Sequence, residues 1–298
     1  MTEVVVGVDG RAASIGALAR ALEEAERRQA TLRVVHAWQT PLWVGGVPGL
    51  AVDVTPSSEE SEAWARKTLA EAVDGALAGR PAPPSVTLVQ EVRRGAVDRE
   101  LLAVGGGADL LVLGGRGHGA VASALLGSVT NAVLHKATCP VMLVPDPAPP
   151  VRPWARAVVG LDGSTGSHAA LAFAADLARR DGIPLVVVHA WMLTTLPAHA
   201  PVPYAPPVWE YGDGAESWLR QEVDQHLPAG PALDVRVQAV HGSATAVLLD
   251  TAGPDDLLVI GARGRGGFSG LLLGSVASQC ARHAHGALVV VRGTGPDA

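Results

Sequence analysis

The strongest constraint on this chain is that it repeats itself. Residues 4–9, Val-Val-Val-Gly-Val-Asp, return as Val-Val-Gly-Leu-Asp at 158–162, an offset of 153. The offset holds through the next two segments. Leu18, Ala21, Leu22 and Ala25 sit at helical spacing and recur as Leu171, Ala174, Ala175 and Ala178. Leu32-Arg-Val-Val-His-Ala-Trp38 then recurs as Leu185-Val-Val-Val-His-Ala-Trp191. A strand, a helix and a strand kept in step mark an internal duplication.

The rest of each copy follows the same alternation. Helices are expected from about Glu59 to Leu77 and from about Ala215 to Leu227, and strands at 86–92 and 235–240. From there the offset is 147. Further helices are expected near Val97–Val104 and Ala244–Thr251, with last strands at 141–144 and 288–291. Each copy reads β-α-β-α-β-α-β-α-β. Apolar strands alternating with helices predict an α/β fold, an open five-stranded parallel sheet in each copy with helices on both faces. The proline run Pro145-Asp-Pro-Ala-Pro-Pro-Val-Arg-Pro153 favours an extended spacer. Domains are therefore expected at 1–146 and 156–298, with 147–155 as linker. Two long irregular segments, 39–58 and 192–214, carry prolines and aromatics. They suit either a lid or partner surface, or surface elaboration packed by its own rings.

Composition narrows the partners. A net charge of −6 without a basic block argues against duplex nucleic acid. No apolar run has the length of a membrane span, and Met-Thr-Glu-Val-Val-Val-Gly lacks a signal-peptide layout, so a soluble, cytoplasmic protein without a membrane partner is expected. Cys139 and Cys280 fall at non-equivalent positions of the copies and read as buried free thiols.

Chemistry concentrates in a duplicated glycine-rich loop. After the strand-like Asp109-Leu-Leu-Val-Leu113 comes Gly114-x2-Gly117-x9-Gly127-Ser128, and after Asp256-Leu-Leu-Val-Ile260 comes Gly261-x2-Gly264-x9-Gly274-Ser275. Each loop leaves a strand and closes on a helix start, with Ser275 at or near the cap of its helix. Glycines let amides approach a ligand, and a helix start adds unpaired donors and positive potential, which together suit a phosphate. The Gly-Lys-Ser/Thr of a Walker loop is missing, and the spacing is not the dinucleotide fingerprint. In open parallel sheets, ligands bind beyond the carboxyl ends of the strands. There Asp9 and Asp162 can meet a ribose or a base amino group, or serve as helix caps. Ala37 and Ala190 can offer main-chain groups to a base. Arg116 and Arg263 lie inside the loops, with His118 and Arg265 at the next matched position, able to balance phosphate charge or stand exposed. His36 and His189 sit in strands and read as packed rather than catalytic. The sequence shows neither a Ser-His-Asp spacing, nor a metal-ligand cluster, nor paired carboxylates for acid–base work. No catalytic or metal-ligating residue is expected.

With these motifs assembled, the chain resembles a tandem universal stress protein of the ATP-binding branch. The resemblance rests on Val-Gly-Val-Asp9-Gly, Gly-Leu-Asp162-Gly-Ser, the two glycine loops, the Leu-Leu-Leu-Gly-Ser-Val run and Cys139-Pro-Val. It implies Rossmann-like domains, pairing of the two domains through their last strands, and a role in stress response or dormancy. It leaves a homodimer open. The implied cofactor is ATP, with magnesium an open addition, held by Val8, Asp9, Ala37, Gly114, Arg116, Gly117, Gly127, Ser128 and Val129 in copy one. Copy two would use Leu161, Asp162, Ala190, Gly261, Arg263, Gly264, Gly274, Ser275 and Val276. Arg11 stands where copy two has Ser164, and either adds phosphate charge or crowds the first site. A slow ATPase or nucleotidyl-transfer enzyme, and a nucleotide-independent scaffold, are the alternatives.

Overall fold

Valine and leucine runs become strands because their branched side chains pack on both faces of a pleated layer; Val4, Val5 and Val6, like Leu110, Leu111 and Val112, are wholly buried. The computed structural model describes residues 2–39, 57–78, 80, 82–115, 126–148, 151–192, 208–265 and 272–293, with the main chain alone for 208–211. The first repeat contributes β1 (Glu3–Gly7), α1 (Ala12–Arg28), β2 (Thr31–Trp38), α2 (Ser58–Leu77), β3 (Leu88–Arg94), α3 (Val97–Gly105), β4 (Leu110–Gly114), α4 (Ser128–Lys136) and β5 (Val141–Val144). The second contributes β6 (Ala157–Gly160), α5 (Thr165–Asp181), β7 (Leu185–Trp191), α6 (Val208–His226), β8 (Val235–His241), α7 (Ala244–Thr251), β9 (Leu257–Gly261), α8 (Ser275–His283) and β10 (Ala287–Val291).

The chain divides into two compact units. In the first, β2 lies between β1 and β3, and β4 flanks β1 on its other side, all parallel. α1 packs on β1, β4 and α2, and α3 packs on α4. The second unit runs β10-β9-β6-β7-β8, again parallel throughout. It also takes in residues 140–145. Strand β5 thereby belongs to it and runs antiparallel to β10, with Met142 opposite Val289. Parallel strands alternating with helices are the predicted fold class.

Boundaries differ in one informative place. Helix α6 begins at Val208, seven residues before the Ala215 expected from periodicity, so the irregular segment 192–214 is helical in its last part. Gly212 and Gly214 read as breakers. Yet the helix runs through both, and a Cβ on Gly212 would meet the Trp191 ring at an ordinary 3.4 Å, so packing does not demand the glycine. The segment 40–56, and Tyr204 with its neighbours, lie outside the described residues.

Helix ends follow their sequences. Ser57 and Glu60 form a reciprocal box: the Glu60 amide donates to Ser57 Oγ at 3.1 Å and the Ser57 amide to Glu60 Oε2 at 2.8 Å. Ser164 caps α5 by accepting from the Ser167 amide at 3.2 Å. At the matching place Arg11 gives α1 no side-chain cap. The cap of α8 is Gly274, and Ser275 is the first helical residue. No helix among the described residues is long and apolar enough to cross a membrane.

Candidate functional site

The carboxyl ends of β6, β7 and β9 surround a cavity of about 420 Å³. Leu161 and Asp162 enter it from the end of β6, and Ala190 from β7. Gly261, Arg263 and Gly264 come from the turn after β9, and Gly274, Ser275 and Val276 from the start of α8. All nine positions singled out in the second copy therefore line one space. The wall is completed by residues the motif did not reveal, notably Ser167, Val188, Ala244 and Leu248. Ala244 and Leu248 lie one turn apart on α7, so their shared direction is visible only once that helix is placed.

The floor of the cavity is a knot of hydrogen bonds centred on Asp162. Its Oδ1 accepts from the Ser164 amide at 3.0 Å and its Oδ2 from the Arg265 amide at 3.0 Å. Ser164 Oγ donates onward to the Arg263 carbonyl at 3.3 Å. Burial opposes the charge on Asp162, but the hydrogen bonds from Ser164, the Arg265 amide and Ser167 outweigh it and hold the carboxyl below its ordinary value. Asp162 thus stitches the end of β6 to the glycine turn; the cap of α5 belongs to Ser164. His189 Nδ1 lies 2.8 Å from the Leu161 carbonyl, which can only accept, so the proton sits on Nδ1. Its ring lies 4.4 Å from that of Trp218.

Two glycines of the turn answer first to the protein's own packing. A Cβ on Gly261 would fall 2.6 Å from the Gly166 carbonyl carbon, and one on Gly264 would run into the Asp162 carboxylate. The turn after β9 is therefore pressed against the start of α5. Gly274 is looser, with the Ala262 carbonyl 3.3 Å from where its Cβ would be.

Apart from Asp162, the charges around the cavity are cationic. Arg263 Nε is buried without a hydrogen-bond partner among the described residues. Burial, and then the charge of Arg263, press the Arg292 guanidinium below its ordinary value. Among the described residues no side chain caps the first turn of α8, whose start opens on the cavity. Unpaired amides, a desolvated guanidinium and a second cation acting on it together favour an anion.

The first copy is described in part. Val8 is buried, its carbonyl 2.8 Å from His36 Nδ1. Asp9 is exposed and accepts from the Arg11 amide at 3.1 Å, as Asp162 does from Ser164. Ala37 is buried near the end of β2. Thr130 Oγ1 donates to the Gly114 carbonyl at 3.3 Å, which joins the end of β4 to the first turn of α4, where Gly127, Ser128 and Val129 lie. Arg116, Gly117 and His118 lie outside the described residues.

Two parallel α/β units, the second with a cavity at its strand ends closed by a glycine turn and a helix start, define the class of fold. The profile of the Universal stress protein family matches residues 1–145 and 153–292, and the chain belongs to that family. A universal stress protein of Mycobacterium tuberculosis is 32% identical over 301 residues, covering 97% of this chain and 94% of its own. The crystal structure of a universal stress protein from Archaeoglobus fulgidus has a TM-score of 0.65 at 18% identity, covering 97% of this chain and 98% of that one. A universal stress protein solved in complex with cAMP is 30% identical over 48% of this chain and 96% of its own, with a TM-score of 0.36.

Proposed function

We propose that this chain is a regulatory adenine-nucleotide-binding protein with one site in each domain, 1–146 and 156–298, and ATP as the leading ligand. The observation that carries this is the uncapped start of α8 beside Arg263. Both face a cavity whose walls also include the apolar Val188, Ala190 and Leu248. A polyphosphate would satisfy the amides and the buried Nε, while a flat base would rest against the aliphatic walls. A volume near 420 Å³ suits a small organic ligand.

Binding is better supported than hydrolysis. Asp162 is the only carboxylate lining the cavity among the described residues, and main-chain amides engage both its oxygens. A general base needs a free lone pair aimed at the attacking water.

Calorimetry with ATP, ADP, AMP and cAMP, each with and without magnesium, tests the proposal. ATP should bind saturably. Ala244→Trp, which fills the second cavity, should lower the number of sites by one. Arg263→Gln should weaken ATP more than AMP, since only the longer phosphate chain needs the guanidinium. Gly264→Ala is a poor probe, because its Cβ would strike Asp162 whether or not a ligand binds. Unchanged stoichiometry and affinity in Ala244→Trp would remove the second site. A full chain without a thermal shift for any of the four nucleotides would leave a scaffold as the better account.

A further inference from the structure

Outside the cavity, three side chains from two helices of the second unit meet. His168 lies in the first turn of α5; Glu222 and His226 lie one turn apart at the end of α6. His168 Nε2 is 2.8 Å from Glu222 Oε2, and His226 Nε2 is 3.8 Å from the same oxygen. One ligand atom from each residue falls within 4.8 Å of the other two. The imidazoles stack, with centroids 3.7 Å apart and planes at 16°. The side chains of His168 and Glu222 are 24% and 19% exposed, and that of His226 is 39% exposed, so the group is half-buried with one open side.

The fold does not require this trio. Helix α6 repeats α2 at an offset of 154: Glu62, Trp64 and Arg66 return as Glu216, Trp218 and Arg220, each with its Arg–Glu pair. At that register Glu222 corresponds to Thr68 and His226 to Ala72, while His168 corresponds to Ile15 in α1. Thr68 and Ala72 are buried in the first unit. The same pair of helices therefore packs there without a titratable group. The second unit exchanges an aliphatic, a hydroxyl and a methyl side chain for two imidazoles and a carboxylate that converge.

We propose that His168, Glu222 and His226 bind a divalent transition-metal ion of the zinc class, through the two Nε2 atoms and a Glu222 carboxylate oxygen, with a fourth position open to water. Imidazole and carboxylate suit zinc, and two histidines with one acid and an open position are a known zinc set. With bonds of about 2.0–2.1 Å, tetrahedral ligand atoms sit about 3.3 Å apart. The separations of 2.8 and 3.8 Å bracket that value. Stacked rings do not aim both lone pairs at one point, so binding must turn the imidazoles out of their stack. His226, the most exposed of the three, has room to turn. Glu222 and His226 at i and i+4 lie on one helix face, which holds two ligands in fixed register. Both cysteines are buried and their thiols pushed up to about 11 and about 12, so thiolates do not compete for the ion.

The test is a calorimetric titration of zinc chloride into the full chain, carrying no polyhistidine tag, stripped of metal and free of nucleotide. Leaving out nucleotide separates this outcome from that of the proposed function. One ion should bind per chain, and His226→Gln and Glu222→Gln should each weaken it more than about tenfold. Magnesium and calcium, which prefer all-oxygen sites, should show no comparable uptake. Cobalt(II) should give visible absorption bands in the parent chain that fade in the His168→Gln, His226→Gln double variant. Without metal, each variant should keep the parent's circular dichroism and unfolding midpoint, because the matching helices of the first unit pack without these groups. Zinc uptake undiminished in the double variant, or absent from the parent, or matched by magnesium, would overturn the proposal.

Discussion

At the scale of single residues, Asp162 shows how one side chain serves several segments. Its two oxygens tie the amide of Ser164 to that of Arg265, which stands 103 residues after Asp162. Its carboxyl is held below the ordinary value of 3.8, so the folded chain prefers the ionised form. The stability this contributes is present above the unfolded value and is lost as pH falls through the lower folded one. Asp162→Asn should therefore unfold at a lower temperature than the parent near neutrality. The gap should narrow as pH drops below about 4. Melting curves across that range check it, and a gap of constant width would show that the charge is not what matters. The carboxylate was legible in the sequence as the residue ending a strand in both copies. Its partner was not, because nothing in local spacing says that the turn after β9 folds back on β6. Gly261 and Gly264 were picked out as openings for a ligand. The structure gives them a nearer cause, the start of α5 and the Asp162 side chain. Sequence spacing locates such glycines without telling which neighbour demands them.

At the scale of elements, the two repeats serve as controls for each other. Ser164 and Arg11 adopt the same extended backbone at the head of matching helices, with φ, ψ of −82°, 157° and −92°, 161°. Only the serine supplies an oxygen to the first turn. Arg11→Ser should therefore cap α1 and raise the denaturant midpoint, with a gain of about 0.5–1 kcal/mol. Its ion pair with Asp9 is long, at 3.9 Å, and exposed, so little should be lost with it. An unchanged midpoint would mean that the first turn of α1 is already satisfied by water. Strands and most helices were legible because Val and Leu runs and helical spacing are local signals; β7 and α7 match their expected bounds. The start of α6 was not, because Gly212 and Gly214 lower local helix propensity and only the fold shows the helix running through them. The histidine–glutamate trio was also hidden. Glu222 and His226 share a helix, but His168 stands 54 residues before Glu222, and only the packing of α5 against α6 brings it in.

At the scale of the whole molecule, duplication has kept the frame and let the chemistry drift. Strand and helix order repeats, while His168 stands where the first copy has Ile15, Ser164 where it has Arg11, and the single buried thiol of each repeat sits in a different place. The frame itself is less evenly divided than the sequence repeat. Strand β5 comes from the first repeat yet lies against β10 in the second unit. A fragment cut at the sequence repeat, beginning at residue 151, would leave the outer rim of β10 bare, with amides and carbonyls seeking a mate. Light scattering should find that fragment sticking to copies of itself. One begun at residue 140 keeps β5 on that rim and should associate less, because the edge it then presents is only four residues long.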